Sequence, residues 1–187
     1  MSAAPDFEVV GSTVLCEAGF LAISQLSVQA PDGDVLERHV VHHPGAVVVV
    51  PLDDDGNVVM VRQWRAATGA ALLEVPAGKR DVPGEPPEVT AARELEEEVG
   101  RRAATLHPLC EFYNSPGFCD EYTYLYLATG LSRVATNAAS AEEAAMTEEL
   151  VPLDAVDDLI ARRALVDAKS IIGLLAARAF LRGEPRG

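Results

Sequence analysis

The chain has 187 residues, 49% of them hydrophobic, with 15 basic against 29 acidic side chains and a formal net charge of −14. That length suits one domain of ordinary size with a small annex, and the apolar share is enough for a substantial core. The acidic balance argues against a nucleic-acid partner, which calls for a basic stripe, and against an anionic membrane surface. The N-terminus "MSAAPDFEVV" lacks a basic and an apolar signal region, and no run is long enough to span a bilayer. Cys16, Cys110 and Cys119 form no CxxC pair. A cytoplasmic protein without disulfide or zinc is the expectation.

"FEVVGSTVLC", "FLAISQLSVQA" and "VLERHVVHH" read as three strands, with "PDGD" turning between the last two. Residues 1–44 are therefore an N-terminal antiparallel β-meander. Such a sheet buries little alone, so it is expected to pack on another surface and to make the protein a homodimer. His39 and His43 share a strand face, but nothing nearby completes a metal site, and a structural role is the plainer reading.

Residues 45–187 form the main domain. "AVVVVPL" and "NVVMVRQW" flank "DDDGN" and read as a hairpin turning at Asp55-Gly56-Asn57. Trp64, the single tryptophan, reads as core rather than as a base platform. "ALLEVPAG" is a third strand. Prolines in "EPPE" suit the first turn of a helix that runs to Val99 and stops at Gly100. "ATLHPLCEFY" and "EYTYLYLAT" are further strands, residues 132–146 a loop, and helices are expected near 154–163 and 168–182. Strands around a central helix, closed by helices, predict an α/β (α+β) fold with a mixed β-sheet sandwiched between helices.

The central helix crowds four glutamates into "ELEEE". On a helical wheel Val89, Ala92, Leu95 and Val99 share the side expected to face the sheet, while Glu94, Glu97 and Glu98 cluster opposite at i, i+3 and i+4. An acidic helical run alone is most often solvated surface. Three carboxylates on one face also suit a hard divalent cation such as Mg²⁺, which takes oxygen ligands and leaves room for waters and substrate phosphates.

Sequence context decides between these. Glu85, Arg93-Glu94-Leu95, Glu97-Glu98 and Gly100 follow the spacing of the Nudix box, Gly-x5-Glu-x7-Arg-Glu-U-x-Glu-Glu-x-Gly-U, with U a bulky aliphatic residue. The chain thus resembles Nudix hydrolases. Two departures stand out: six residues rather than five separate Gly78 from Glu85, and Arg101 occupies the last aliphatic position. Neither removes a carboxylate.

The resemblance implies a Nudix fold and Mg²⁺-dependent hydrolysis of a nucleoside diphosphate linked to another group, with Mn²⁺ as a possible substitute. It implies that Glu94, Glu97, Glu98 and the carbonyl of Ala77 ligate metal, and that Arg93 orients a box glutamate. "LLEVPAG", "NSPGF", "DAKSIIGLL" and Pro116, sixteen residues after Gly100, are similar to ADP-ribose pyrophosphatases. That group hydrolyses ADP-ribose to AMP and ribose 5-phosphate. Arg38, Arg65 and Glu74 are candidate substrate contacts, each with an ordinary ion pair as its alternative. Similar enzymes place a general base on a loop after the box, where this chain offers Glu143, with Glu142 as alternate. A nucleotide-sugar pyrophosphatase, acting on GDP-mannose or a UDP-sugar, shares all the metal residues. A non-catalytic nucleotide sensor is the third reading, disfavoured by the intact carboxylates and the missing basic recognition helix.

Overall fold

The computed structural model describes residues 6–135 and 145–183. Glu142 and Glu143 lie outside the described residues. The backbone forms two compact units, Met1–Gly45 with Tyr113–Tyr122, and Ala46–Phe112 with Thr123–Gly187. No helix among the described residues is long and apolar enough to cross a membrane.

The first unit holds the three-stranded meander, β1 (Glu8–Ala18), β2 (Leu21–Gln29) and β3 (Val35–His42), in the order β1-β2-β3 and antiparallel throughout. Phe7, Val9, Val14, Leu15 and Val35 are exposed there. The segment carrying Pro116 belongs to this unit: the N–H groups of Phe118 and Cys119 donate to the Ser115 carbonyl at 3.1 and 2.9 Å. Of the three clustered histidines, His42 pairs through Nδ1 with Asp120 Oδ2 at 2.6 Å, and Asp120 Oδ1 accepts the His43 N–H at 2.8 Å.

The second unit contains β4 (Ala46–Pro51), β5 (Asn57–Arg65), β6 (Ala70–Glu74), β7 (Ala77–Lys79), helix α1 (Pro87–Val99) and β8 (Arg101–Arg102). It continues with β9 (Thr105–Tyr113), β10 (Tyr122–Thr129), β11 (Ser132–Arg133) and β12 (Thr147–Pro152). A 3₁₀ turn (Leu153–Ala155), α2 (Val156–Ala161) and α3 (Ala168–Leu181) close it. The sheets are ordered β7-β4-β10-β9, β12-β5-β6 and β11-β8.

Strand β4 shows the layering most directly. All six of its residues are buried, and it runs parallel to β10 over Ala46–Pro51. Its side chains alternate, as a strand covered on both faces requires. Val47 and Val49 join Ala91, Leu95 and Val99 of α1 in one core, while Val48 and Val50 join Val156, Leu159 and Leu174 of α2 and α3 in the other. The sheet is sandwiched between helices, as the element order predicts.

Three local expectations fail. β4 and β5 are not a hairpin: they lie in different sheets and share only an isolated bridge between Leu52 and Val58. The turn between them is Asp53 to Gly56, closed by the Gly56 N–H to the Asp53 carbonyl at 3.2 Å. Local turn chemistry was legible, but a fully buried β4 takes its partners from distant β10 and from β7. "ALLEVPAG" likewise splits at Val75-Pro76 into β6 and β7, on separate sheets. Trp64 is 55% exposed, because its neighbour Gln63 takes the inward position and period-two alternation turns the indole out.

Candidate active site

Helix α1 is entered through Pro86 and Pro87 and ends at Gly100, whose left-handed backbone (φ 57°) lets its N–H reach the Glu96 carbonyl at 3.1 Å. Its buried face is Thr90, Ala91, Leu95 and Val99. Val89 is 48% exposed and Ala92 is exposed too, so the buried stripe is rotated from the one the wheel suggests, toward Thr90 and Ala91. Ala91, Leu95 and Val99 repeat every four residues, which places them in one ridge, with Ala92 and then Val89 turned away on the same side of it.

That rotation draws the glutamates inward. The Glu94 side chain, 13% exposed, lies against the backbone of β7. A Cβ built on Gly78 would stand 1.9 Å from Glu94 Cδ and 2.3 Å from Glu94 Oε2, so only glycine admits this carboxylate. This contact gives residue 78 a steric reason to be glycine despite the extra loop residue. One residue earlier, the Ala77 N–H donates to Glu98 Oε2 at 3.0 Å. Glu94 and Glu98 are thereby both tied to the start of β7.

Arg93 organises the rest. Its Nη1 donates to Glu94 Oε1 at 2.8 Å and to Glu97 Oε2 at 3.1 Å, and its Nη2 to Glu85 Oε2 at 3.3 Å. Asp81 lies 3.8 Å from the same Nη2. Burial opposes the charge of Arg93, but the bond to Glu85 and the charges of Glu94 and Glu97 outweigh it and hold the guanidinium firmly protonated. The Thr90 hydroxyl, donating to Glu85 Oε2 at 2.7 Å, and then Arg93 hold Glu85 below the usual carboxylate range. Burial pushes Glu94 the other way, above that range, against the pull of Arg93.

The residues fit a divalent cation. Glu94, Glu97 and Glu98 are hard oxygen donors, and Glu94 is a desolvated carboxylate whose ionisation a cation would favour. Among the described residues no three acidic, histidine or cysteine side chains already form a metal cage. Arg93 Nη1 instead bridges Glu94 and Glu97, while Arg93 Nε is buried without a partner.

Arg65 and Glu74 meet in a two-pronged pair, Nε to Oε1 and Nη2 to Oε2, both at 2.8 Å. Glu74 is only 1% exposed, and Lys169 Nζ also contacts its Oε2. Burial works to raise the Glu74 carboxyl, but Arg65 and Lys169 overcome it and the net shift is downward. Lys169 also reaches Asp167 at 2.8 Å, and Asp167 caps α3 by accepting the Ser170 N–H at 3.0 Å. Ser170 Oγ in turn accepts the Val75 N–H at 2.9 Å. The network thus clamps the chain just ahead of Ala77. Its members Asp167, Lys169 and Ser170 carried a signal in "DAKS", where an Asp three residues before a Ser opens an apolar run as a helix cap.

Arg38 and Pro116 belong to the first unit. Arg38 is exposed and donates to the neighbouring Glu37 carbonyl at 2.8 Å, and Pro116 is exposed in its turn. Arg101 is not a passive loss of an aliphatic anchor. It is 8% exposed, donates to the Val99 carbonyl at 2.7 Å and pairs with Glu148 of β12 at 2.5 Å.

Comparison with known proteins agrees with this geometry. A family model described as the NUDIX domain matches residues 41–172. The chain is 43% identical over 183 residues to the ADP-ribose pyrophosphatase of Mycobacterium tuberculosis (strain ATCC 25618 / H37Rv), covering 97% of this chain and 88% of that one. It is 39% identical over 148 residues to the methanol dehydrogenase activator of Bacillus methanolicus, 79% of each. A solved structure described as an ADP compounds hydrolase matches all of both chains with a TM-score of 0.85 at 20% identity, a likeness of fold.

Proposed function

The chain belongs to the Nudix family, and from that premise we propose that it hydrolyses ADP-ribose to AMP and ribose 5-phosphate with Mg²⁺. One observation carries the reading. The Glu94 carboxylate is pressed against the bare backbone of Gly78, with Glu98 on the Ala77 N–H, in a chain similar almost end to end to an ADP-ribose pyrophosphatase.

Glu94, Glu97, Glu98 and the Ala77 carbonyl would hold the ions. Bound there, divalent ions polarise phosphoryl oxygens and lower the pKa of a bound water. The chain's own residues do the rest. Arg93 keeps Glu94 and Glu97 in register, and Glu85 and Thr90 fix Arg93. Arg65, held flat by Glu74, offers its guanidinium to the diphosphate, and Glu74 acts through it. Arg38 takes the adenine end and Pro116 shapes its loop. Glu143, or Glu142 beside it, accepts the proton of the attacking water as that oxygen bonds to phosphorus and the bridging P–O bond breaks. Free cysteines and an acidic chain suit the reducing cytoplasm. Residues 1–44 act as the dimerisation element.

A substrate panel read by released nucleoside monophosphate tests this. AMP from ADP-ribose, dependent on Mg²⁺, is the expected result. GMP from GDP-mannose or UMP from a UDP-sugar in its place would move the substrate class, and no release from any of them would favour a nucleotide sensor.

A further inference from the structure

The loop from Gly78 to Glu85 carries one residue more than the family spacing, yet Glu85 still reaches Thr90 and Arg93. Something must absorb the extra residue without displacing that carboxylate. Asp81, Val82, Pro83 and Gly84 are all exposed, and the loop turns back through the Glu85 N–H, which donates to the Val82 carbonyl at 3.2 Å. Arg80 closes the neck of this bulge. Its Nη2 donates to the Glu85 carbonyl at 3.2 Å, and its guanidinium carbon sits 4.9 Å from the centre of the Tyr124 ring on β10. Tyr124 belongs to the sheet, so the ring is a fixed support. Arg80 Nε is buried without a partner, so the guanidinium is held by the ring and the single Glu85 bond.

We propose that Arg80 is a positioning residue for hydrolysis, which confines the extra loop residue to solvent and sets Glu85. Glu85 fixes Arg93, and Arg93 fixes Glu94 and Glu97. The arrangement needs a planar cation that stacks and donates at once, which a lysine ammonium does not reproduce. The inference rests on the hydrolase reading above for its kinetic arm alone.

The experiment uses full-length Arg80→Ala, Arg80→Lys and Tyr124→Leu. It measures kcat and KM with ADP-ribose and Mg²⁺ and, separately, Mn²⁺ affinity by electron paramagnetic resonance without substrate. Arg80→Ala is expected to lower both kcat and Mn²⁺ affinity about tenfold, the low end for losing an outer support of a metal site, with KM little changed. Arg80→Lys should stay low, and Tyr124→Leu, which removes the ring face, should lose Mn²⁺ affinity together with Arg80→Ala. Wild-type Mn²⁺ affinity in Arg80→Ala, or full rescue by lysine, overturns the proposal. If the parent hydrolyses nothing, the functional reading fails while the Mn²⁺ titration still decides the role of Arg80. A variant that does not fold is replaced by Arg80→Gln, judged by the same titration.

Discussion

Glu94 occupies the space in which any side chain on residue 78 would begin, its Cδ 1.9 Å from a Cβ built there. Gly78→Ala must therefore push the carboxylate out or move β7 away from α1. Overpacking of this kind costs about 1–3 kcal/mol. The melting temperature should fall, and Mg²⁺-dependent turnover should drop by about 10–100-fold, the range for disturbing a metal site's supports. Turnover at the parent level would show that Glu94 is not held by this contact.

Glu98→Gln keeps size and removes charge, and the amide oxygen can still accept the Ala77 N–H. Folding should be preserved and turnover should fall about 100-fold or more. Glu97→Gln should lose turnover similarly, but it also weakens the 3.1 Å contact to Arg93 and leaves that cation less compensated. The crowding of like charge on α1 suggests that losing a carboxylate relieves repulsion. Arg93 already offsets that repulsion, so neither variant is expected to gain melting temperature. Turnover near the parent level in both variants would remove the metal platform.

Much of this site was legible because it is local. Glutamates at i, i+3 and i+4, an arginine beside them and a terminating glycine are all written within one helix. What was not legible is non-local. The pairing of β4 with β10 spans more than seventy residues, and a turn motif could not reveal it. β12 was missed altogether: in "TEELVP" the side chains are exposed or half-buried, so no buried run marks an edge strand. The orientation of α1 depends on how closely β7 can approach, so Val89 and Ala92 were assigned to the wrong face. Arg65 and Glu74 were each legible as a candidate substrate contact, but their pairing with one another, and with Lys169, exists only through the fold.

The Glu74 carboxyl has its pKa lowered on folding, so its protonation opposes the folded state. Its contribution is complete above the ordinary value of 4.5 and is lost as pH falls below that toward the folded pKa. Thermal melts from pH 7 to 3 should show Glu74→Gln less stable at neutral pH, by about 3–5 kcal/mol for one partner removed from a buried pair. Its stability should then fall less steeply than the parent's on acidification. Parallel curves would mean that Glu74 does not drive the acid sensitivity.

Glu143→Gln should lower kcat by about 10²–10⁴-fold, the usual contribution of a positioned base, while KM and metal affinity change little. If Glu142→Gln takes the loss instead, the base is one residue earlier. If neither variant is affected, water activation falls to the ions and the α1 carboxylates.

Light scattering at micromolar concentration should give a dimer, and deletion of residues 1–40 should abolish it together with substrate affinity. A fully active monomer would overturn the role given to the meander.

The two chain segments that bracket residues 136–144 are rooted at one place. The Val134 N–H donates to the Gly100 carbonyl at 2.9 Å, β11 pairs with β8, and Glu148 is held by Arg101. Both roots thus hang from the terminus of the acidic helix, and the ring is closed by contacts that do not involve the intervening residues. Descendants of this sequence can therefore change the residues around Glu142 and Glu143 without disturbing the helix carboxylates, so that new specificities can be tried while the metal platform is inherited and only the proposed base has to be kept.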